Sequence, residues 1–372
     1  MTDLTRQVRC VFGLPVDIVD FASTIDRVHK ATRDHRLFLS TPNLNFIVQC
    51  QQDPEFLASL VDSDLVILDG MIPVWIARVM GLGPIEKISG SNLFETLMAM
   101  EKTTPLRVFL FGGEEGVAEK AAIALNNNVK GVECVGYHSP GFVPIEQMST
   151  AEVVDKINAS DAEFLLVALG AKKGQAWIQR NRQALNTPVI SHLGAVINHT
   201  AGDIKRAPFW LQSIGLEWMW RIIEEPKLWR RYLSDGLRML GITAAFVYRR
   251  VAISWSRRSM RHLPSSFSFD AATDGGRVSV SLRGDAEEYR GAGLVDALQR
   301  LIDMPALERV VVNLEDLDEL GPNFLGFLIL LTGAVRKRGA SLEIVGASAY
   351  LRRVIRLHSA DYLLTPALLQ SG

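Results

Sequence analysis

The stretch Leu65-Val-Ile-Leu-Asp-Gly70 decides the fold class. Four apolar residues in a row, with no polar residue alternating between them, describe a strand buried on both faces, as in parallel sheets. The run stops at Asp69-Gly70, and Pro73 opens a helical stretch behind it. Working outward, the same unit recurs. Leu37 to Leu39 is a short strand that gives way to Ser-Thr-Pro-Asn43 and a helical pattern through Ile47, Val48, Phe56 and Leu60. Arg107 to Phe111 ends at Gly112-Gly113, Gly131 to Val135 follows, Phe164 to Leu169 ends at Gly170, and Pro188 to Ser191 runs out near Gly194. Strands alternating with helices imply an α/β fold, a Rossmann-like and mostly parallel sheet covered on both faces. Ligands of such sheets bind at the carboxyl ends of the strands, so the loops carrying Thr41, Asn43, Asp69, Gly112, Gly113, Gly170 and Gly194 are expected to share one cleft.

The 372 residues leave room for two domains. With 48% hydrophobic and 22% charged residues the composition is globular, which excludes a mostly disordered chain, a collagen-like fibre and a disulfide-knotted miniprotein. A net charge of −1 argues against a broad basic surface and against nucleic acid as a partner. Cys10, Cys50 and Cys134 are far apart and make no C-x-x-C pair, so a reducing compartment and no zinc site are expected. Asp3, Arg6, Arg9 and Asp17 interrupt any signal-peptide core. The longest uncharged apolar stretch, Leu320 to Val335, contains Gly, Pro and Asn and falls short of the ~20 residues of a membrane-spanning helix. A cytoplasmic location follows as the expectation.

From Gly202 the texture changes to a basic, Trp-rich helical stretch. Between Arg221 and His262 ten Lys or Arg stand against three acids, a local +7 in a chain whose total is −1. Leu263-Pro-Ser-Ser266 reads as a linker, and a second alternating unit runs from Phe267 to the end. Its strands are expected at Arg277 to Leu282, Val310 to Leu314 and Ser341 to Val345, its helices at Leu294 to Ile302, Asn323 to Arg338 and Ala349 to Leu357. The expected division is a core at 1–201, a basic appendage at 202–262, a linker at 263–266 and a small β/α domain at 267–372.

Asp69 stands where a buried strand meets a glycine, so its carboxylate would project into the cleft, where desolvation raises its pKa and suits it to act as a general base. Helix capping is the competing reading. Thr41 and Asn43 offer short hydrogen-bonding groups to the same cleft, or serve as turn formers. Phe109-Leu-Phe-Gly-Gly113 could cradle a pyrophosphate, and Glu133 lies where a ribose-binding acid would, but a full G-x-G-x-x-G is absent. Asp62-Ser-Asp64 and Asp316-Leu-Asp318 are read as solvated turns rather than metal-nucleotide sites. The seven histidines show no metal-ligand spacing, and His192 and His199 are expected to be structural or substrate-facing. Arg206, Arg221, Arg230 and Arg231 could neutralise a diphosphate leaving group. Phe246, Tyr248 and Trp255 interleave with Arg249, Arg250, Arg257 and Arg258, the pattern of a helix lying on an anionic membrane surface.

Thr41-Pro-Asn43, Asp69-Gly70, Ile88-Ser-Gly90, Phe109-Leu-Phe-Gly-Gly113, Val167-Ala-Leu-Gly-Ala171, Arg206-Ala-Pro208, Gly215-Leu-Glu-Trp218, Arg221, Glu225-Pro226 and Arg231-Tyr232, in this order, resemble the WecG/TagA/CpsF family of bacterial glycosyltransferases. The resemblance covers about residues 8–250. It implies inverting, metal-independent transfer of a sugar from a UDP-sugar to a polyprenyl-diphosphate-linked saccharide at the inner face of the cytoplasmic membrane, with no cofactor. Asp69 would be the base, Thr41 and Asn43 its neighbours, and Arg221 and Arg231 the stabilisers of departing UDP. Gly70, Gly90, Asn92, Gly112, Gly113, Gly170, Gln175, Arg206 and Arg230 would contact substrate or nucleotide. The chain departs from the family pattern at Gly170-Ala-Lys-Lys-Gly-Gln175, where a proline and an acid are lost, at Asn92 in place of Asp, and at Leu228 in place of Arg. Lys172 and Lys173 near the cleft suggest a more anionic donor or acceptor.

The C-terminal unit resembles a STAS domain through Val278-Ser-Val-Ser-Leu282 with Gly284, Val310-Val-Val-Asn-Leu314 and Asn323-Phe-Leu-Gly326. Asn323 occupies the position that the resemblance assigns to a phosphorylated hydroxyl, so a constitutive protein-docking or assembly role is expected. Two other readings stay open: a regulatory UDP-sugar-binding protein acting through its STAS domain, and a nucleotide-dependent oxidoreductase using Gly112-Gly113. The oligomeric state is not legible, and a second copy of the chain remains among the partners considered.

Overall fold

Residues 3–127, 129–259, 266–286 and 292–365 are described by the computed structural model, with backbone alone at 209, 213, 254–259 and 292. Residues 263–265 of the expected linker, and the side chains of Trp255, Arg257 and Arg258, lie outside this description. A hairpin of β1 (Val8–Val11) and β2 (Leu14–Asp17) comes first, turned by Phe12-Gly13, both at positive φ as a two-residue hairpin turn requires. Then follow α1 (Phe21–Lys30), β3 (Leu37–Ser40), α2 (Leu44–Cys50), α3 (Pro54–Val61), β4 (Leu65–Val66), α4 (Met71–Val79), α5 (Gly90–Ala99), β5 (Leu106–Gly112), α6 (Val117–Asn126), β6 (Val132–His138), α7 (Ile145–Met148), α8 (Ala151–Ala159), β7 (Phe164–Ala168), α9 (Ala171–Asn181), β8 (Val189–His192) and α10 (Val196–Thr200). The basic stretch forms α11 (Phe209–Ser213), α12 (Glu217–Glu224) and the long α13 (Trp229–Ser259).

The six strands β3 to β8 form one parallel sheet in the order β4-β3-β8-β7-β5-β6. All six were expected from the sequence, five as largely apolar runs and β6 despite its exposed Glu133. The central strand β7, Phe164-Leu-Leu-Val-Ala168, is buried along its whole length, which is why its residues do not alternate with polar ones. Helices cover both faces: Phe94 and Leu97 of α5 with Ala118 and Leu125 of α6 on one, Trp177 and Ile178 of α9 with Ile157 of α8 on the other.

The C-terminal unit comprises β9 (Ser268–Asp274), β10 (Arg277–Ala286), α14 (Ala292–Ile302), β11 (Arg309–Leu320), α15 (Pro322–Lys337), β12 (Ser341–Val345) and α16 (Ala349–Leu357). Its sheet runs β12-β11-β10-β9, parallel except for the added β9. Two sequence readings need correction here. Asp316 and Asp318 lie exposed on β11 rather than in a turn. Asp62 is buried and ion-paired to Arg182 and Arg336, not solvated.

The unit is packed onto the rest of the chain. One continuous apolar cluster joins Cys10, Val11 and Leu14 of the hairpin, Leu60 and Val61 of α3, Met239 and Phe246 of α13, and Leu325, Leu328 and Ile329 of α15. A buried ion pair, Arg6 to Asp17 at 2.6 Å, fastens the hairpin, and Asp17 also accepts the Val66 amide of β4 at 2.7 Å.

Candidate active site

The carboxyl ends of β3, β4, β7 and β8 open into a cleft of about 480 Å³, faced from the other side by α12 and the first turns of α13. Thr41 and Asn43 enter it after β3, Asp69 and Gly70 after β4, Gly170 after β7, Gly90 from α5, Arg221 from α12 and Arg231 from α13.

Local chemistry sets each position. Asn43 is the N-cap of α2, its Oδ1 accepting the Phe46 amide at 3.2 Å, so it is both a helix former and a cleft residue. The capping alternative for Asp69 falls away, because Gly70 is the N-cap of α4 and no side chain caps that helix. Thr41 is buried beside the first turn of α5, where a side chain on Gly90 would collide with Leu193. The appendage is seated by Gly215 at φ +73, where a Cβ would stand 2.7 Å from Met71 of α4. A second tie is Asp235 of α13, buried and accepting from Asn45 of α2 at 2.9 Å.

Electrostatically the cleft sets the half-buried carboxylates of Asp69 and Glu217 among cations. Desolvation, and next the charge of Glu217, push the pKa of Asp69 up to about 7, against the opposing pull of Lys87, Arg221 and Arg206. Arg221 donates to Glu225 at 2.9 Å, and its Nε is buried without a partner. Arg206 binds Glu95 and Asn92, and its Nε is likewise unpartnered. These two guanidinium groups keep donor capacity for an anion. His199, which lines the cleft, hydrogen-bonds the Ile204 carbonyl, and burial lowers its pKa. His192 is buried with Nε2 against the Leu169 carbonyl and is held neutral by the same cause.

Several expected contacts are not in this cleft. Gly112 and Gly113 end β5 away from it, and a Cβ on Gly112 would stand 2.5 Å from the Ala168 carbonyl oxygen. Gly112 answers a strand-packing constraint, and Gly113 a positive φ of 80°. Asn92 is engaged by Arg206. Gln175 points inward, its Nε2 donating to Ser40 Oγ at 3.1 Å. Arg230 is exposed over the Trp229 ring. Lys172 pairs with Asp53 at 2.5 Å and Lys173 donates to the Val143 carbonyl, so neither addresses the cleft. Among the residues that sequence reasoning missed are Lys87 and Glu217, which line the cleft 3.9 Å apart and act on Asp69 with opposite signs. Glu217 was inside the quoted Gly215-Leu-Glu-Trp218; Lys87 directly precedes Ile88-Ser-Gly90.

Residues 9–252 match the model of the glycosyl transferase WecG/TagA/CpsF family. The chain belongs to this family. Residues 269–366 match the Mlab STAS domain, in agreement with the fold of the C-terminal unit. The chain is 29% identical over 230 residues to the N-acetylglucosaminyldiphosphoundecaprenol N-acetyl-β-D-mannosaminyltransferase of Bacillus spizizenii strain W23, covering 62% of this chain and 87% of the relative. It is 25% identical over 230 residues to the enzyme of the same name from Bacillus subtilis strain 168, covering 61% of this chain and 88% of that one. In this glycosyltransferase family member, the cleft combines segments from both ends of the matched region: Thr41 to Gly70 and Glu217 to Arg231.

Proposed function

We propose that the protein is an inverting, metal-independent glycosyltransferase that moves a sugar from a UDP-sugar to a polyprenyl-diphosphate-linked saccharide in bacterial surface-polysaccharide synthesis. The observation that carries this reading is Asp69, a carboxylate with a pKa near 7 facing Lys87, Arg206 and Arg221. A general base is best matched when its pKa lies near the working pH. In the step, the acceptor hydroxyl oxygen bonds to the anomeric carbon, and its proton passes to Asp69. The bond from that carbon to the diphosphate oxygen breaks, and the electron pair leaves with UDP. One displacement from the opposite face inverts the centre. Arg221, with Arg231 at the mouth, offsets the charge growing on the leaving diphosphate, an electrostatic task that guanidinium groups perform without a metal. The printed names of the relatives suggest an N-acetylglucosaminyl-diphosphoundecaprenol acceptor and an N-acetylmannosaminyl donor as the first pair to try.

The test is UDP release across a panel of UDP-sugars with a short-chain polyprenyl-diphosphate-sugar acceptor and EDTA present. Acceptor-dependent release from one donor is expected. UDP binding without release from any donor overturns the transferase reading in favour of a binding protein.

A peripheral site on the inner face of the cytoplasmic membrane belongs to the same proposal. Among the described residues, no helix is long and apolar enough to cross a membrane. On α13, Leu233, Leu237, Leu240, Val247 and Val251 are exposed at a 4-3-7-4 spacing, one apolar stripe opposite the buried Met239, Phe246 and Ile253. Arg230 and Tyr248 are exposed at its edge, as suits a lipid surface. Replacing Leu237 and Leu240 together by Glu should weaken sedimentation with phosphatidylglycerol vesicles by about tenfold or more, since each buried Leu contributes about 1.5–3 kcal/mol. Unchanged sedimentation would place the lipid contact elsewhere.

A further inference from the structure

The STAS unit is set against the catalytic core along α15. A Cβ on Gly326 would stand 3.0 Å from the backbone of Arg9 and Cys10, and one on Gly333 2.8 Å from the Val61 carbonyl oxygen. Only glycine lets the backbones come this close. At the head of α15, Asn323 Oδ1 accepts from Arg9 Nε at 2.7 Å. At its tail, Arg336 pairs with Asp62, and Lys337 Nζ lies 2.9 Å from Asp64 Oδ1.

What these cations hold is the turn that enters β4, and this turn supports the catalytic strand. Asp64 turns its other oxygen to the Phe38 amide of β3 at 3.0 Å. Ser63 Oγ is 2.8 Å from Ser40 Oγ, the last residue of β3, which also receives Gln175 of α9. Asp62 receives Gln179 of α9 at 3.0 Å and Arg182, which caps that helix, at 3.2 Å. Thr41 follows Ser40 directly, and Gly170 and Ala171 at the head of α9 line the cleft. Thus two residues of α15 bear on a three-residue turn, and that turn bears on both elements that flank the base.

We propose that the STAS unit acts in cis as a positioning element for the catalytic strand, with Arg336 and Lys337 as the positioning residues that fix Thr41 and Asn43 through Asp62, Ser63 and Asp64. Its α15 face is then engaged by the core and is not the surface offered to another protein. Asp62 is almost fully buried, so loss of Arg336 removes a partner from a charge that has no recourse to water.

The experiment uses the full chain and compares wild type, the double variant Arg336→Gln with Lys337→Gln, Arg336→Lys, and Arg338→Gln. Arg338 pairs with Asp303 inside the STAS unit at 2.5 Å and so controls for loss of a helix-end charge. Hydrogen exchange should accelerate about tenfold at the amides of 38–43 in the double variant, Phe38 being the direct reporter, and stay unchanged there in Arg338→Gln. Turnover should fall about fivefold or more with the donor KM nearly constant, and Arg336→Lys should recover most of it, because misplacement of a catalytic strand costs rate rather than binding. Faster exchange confined to 322–340, with 38–43 unchanged, overturns the proposal. If the double variant does not fold, Lys337→Gln alone carries the exchange test through the Asp64 bond. The turnover readout rests on the transferase reading; the exchange readout does not, so the two can fail separately.

Discussion

Asp69→Asn should lower kcat/KM by about 10²-fold or more, the typical contribution of a positioned general base, while UDP still binds. The shape of the carboxyl is kept, so the loss isolates the proton. The pH profile gives the second half of the argument. With a pKa of about 7, the base is ionised above neutrality, and wild-type kcat/KM should rise through pH 7 to a plateau, standing at roughly a tenth of it at pH 6. The Asn variant should show no such rise. Stability moves the other way. Asp69 holds its proton more tightly when folded than when unfolded, so stability present at low pH is lost as the pH climbs from the ordinary carboxylate range through about 7. A displacement from 3.8 to about 7 corresponds to roughly 4 kcal/mol at about 1.4 kcal/mol per tenfold change in proton affinity. At pH 8 the Asn variant should therefore melt at a higher temperature than wild type. A variant that keeps turnover within a few-fold removes Asp69 from the role of base.

Arg221→Ala should cost about 10²–10³ in kcat, the range found when one preorganised donor is removed from a developing anion. Arg221 is the better placed of the two cleft arginines on the appendage. Its Nε is buried and free of partners, and Glu225 one turn on fixes its other end, whereas Arg231 is exposed at the mouth near Tyr232. Affinity for the intact UDP-sugar should weaken by only about tenfold, since the diphosphate carries more charge while leaving than while bound as the sugar ester. Arg221→Lys should recover little, because a point charge does not reproduce the planar fork. Loss confined to KM would make Arg221 a ground-state ligand and leave the leaving group without its stabiliser.

The parallel sheet was legible because most of its strands are short, largely apolar runs that end near Gly, Asp or Asn, as strands of a doubly covered sheet do. Thr41, Asn43 and Asp69 were legible for the same reason: a strand's carboxyl end is a sequence position. What was hidden depends on partners far away in the chain. Asp62 looked like half of a solvated turn because nothing near it in sequence announces Arg336, 274 residues on. Gln175 and Asn92 carry polar groups suited to a substrate, but Ser40 and Arg206 take them. Lys87 is a single charge in a loop until α12 brings Glu217 against it. The hairpin escaped notice because its strands are four residues each and Arg9 interrupts their apolar pattern. Its burial comes from elements distant in sequence: α3, Tyr362 donating to the Gly13 carbonyl, and α15 over β1 and β2.

That last contact constrains how the protein is made. The apolar side of the hairpin, with Cys10, Val11 and Leu14, finds its cover in a helix ending at Lys337. At about 5–20 residues per second, a ribosome needs roughly 15–60 s to travel from one to the other. For that interval the nascent chain carries an apolar edge that α15 has yet to cover. A helix made more than 300 residues later closes over it, so the core that contains the hairpin completes its packing only with a piece of the STAS unit. The last third of the chain is a condition for finishing the first.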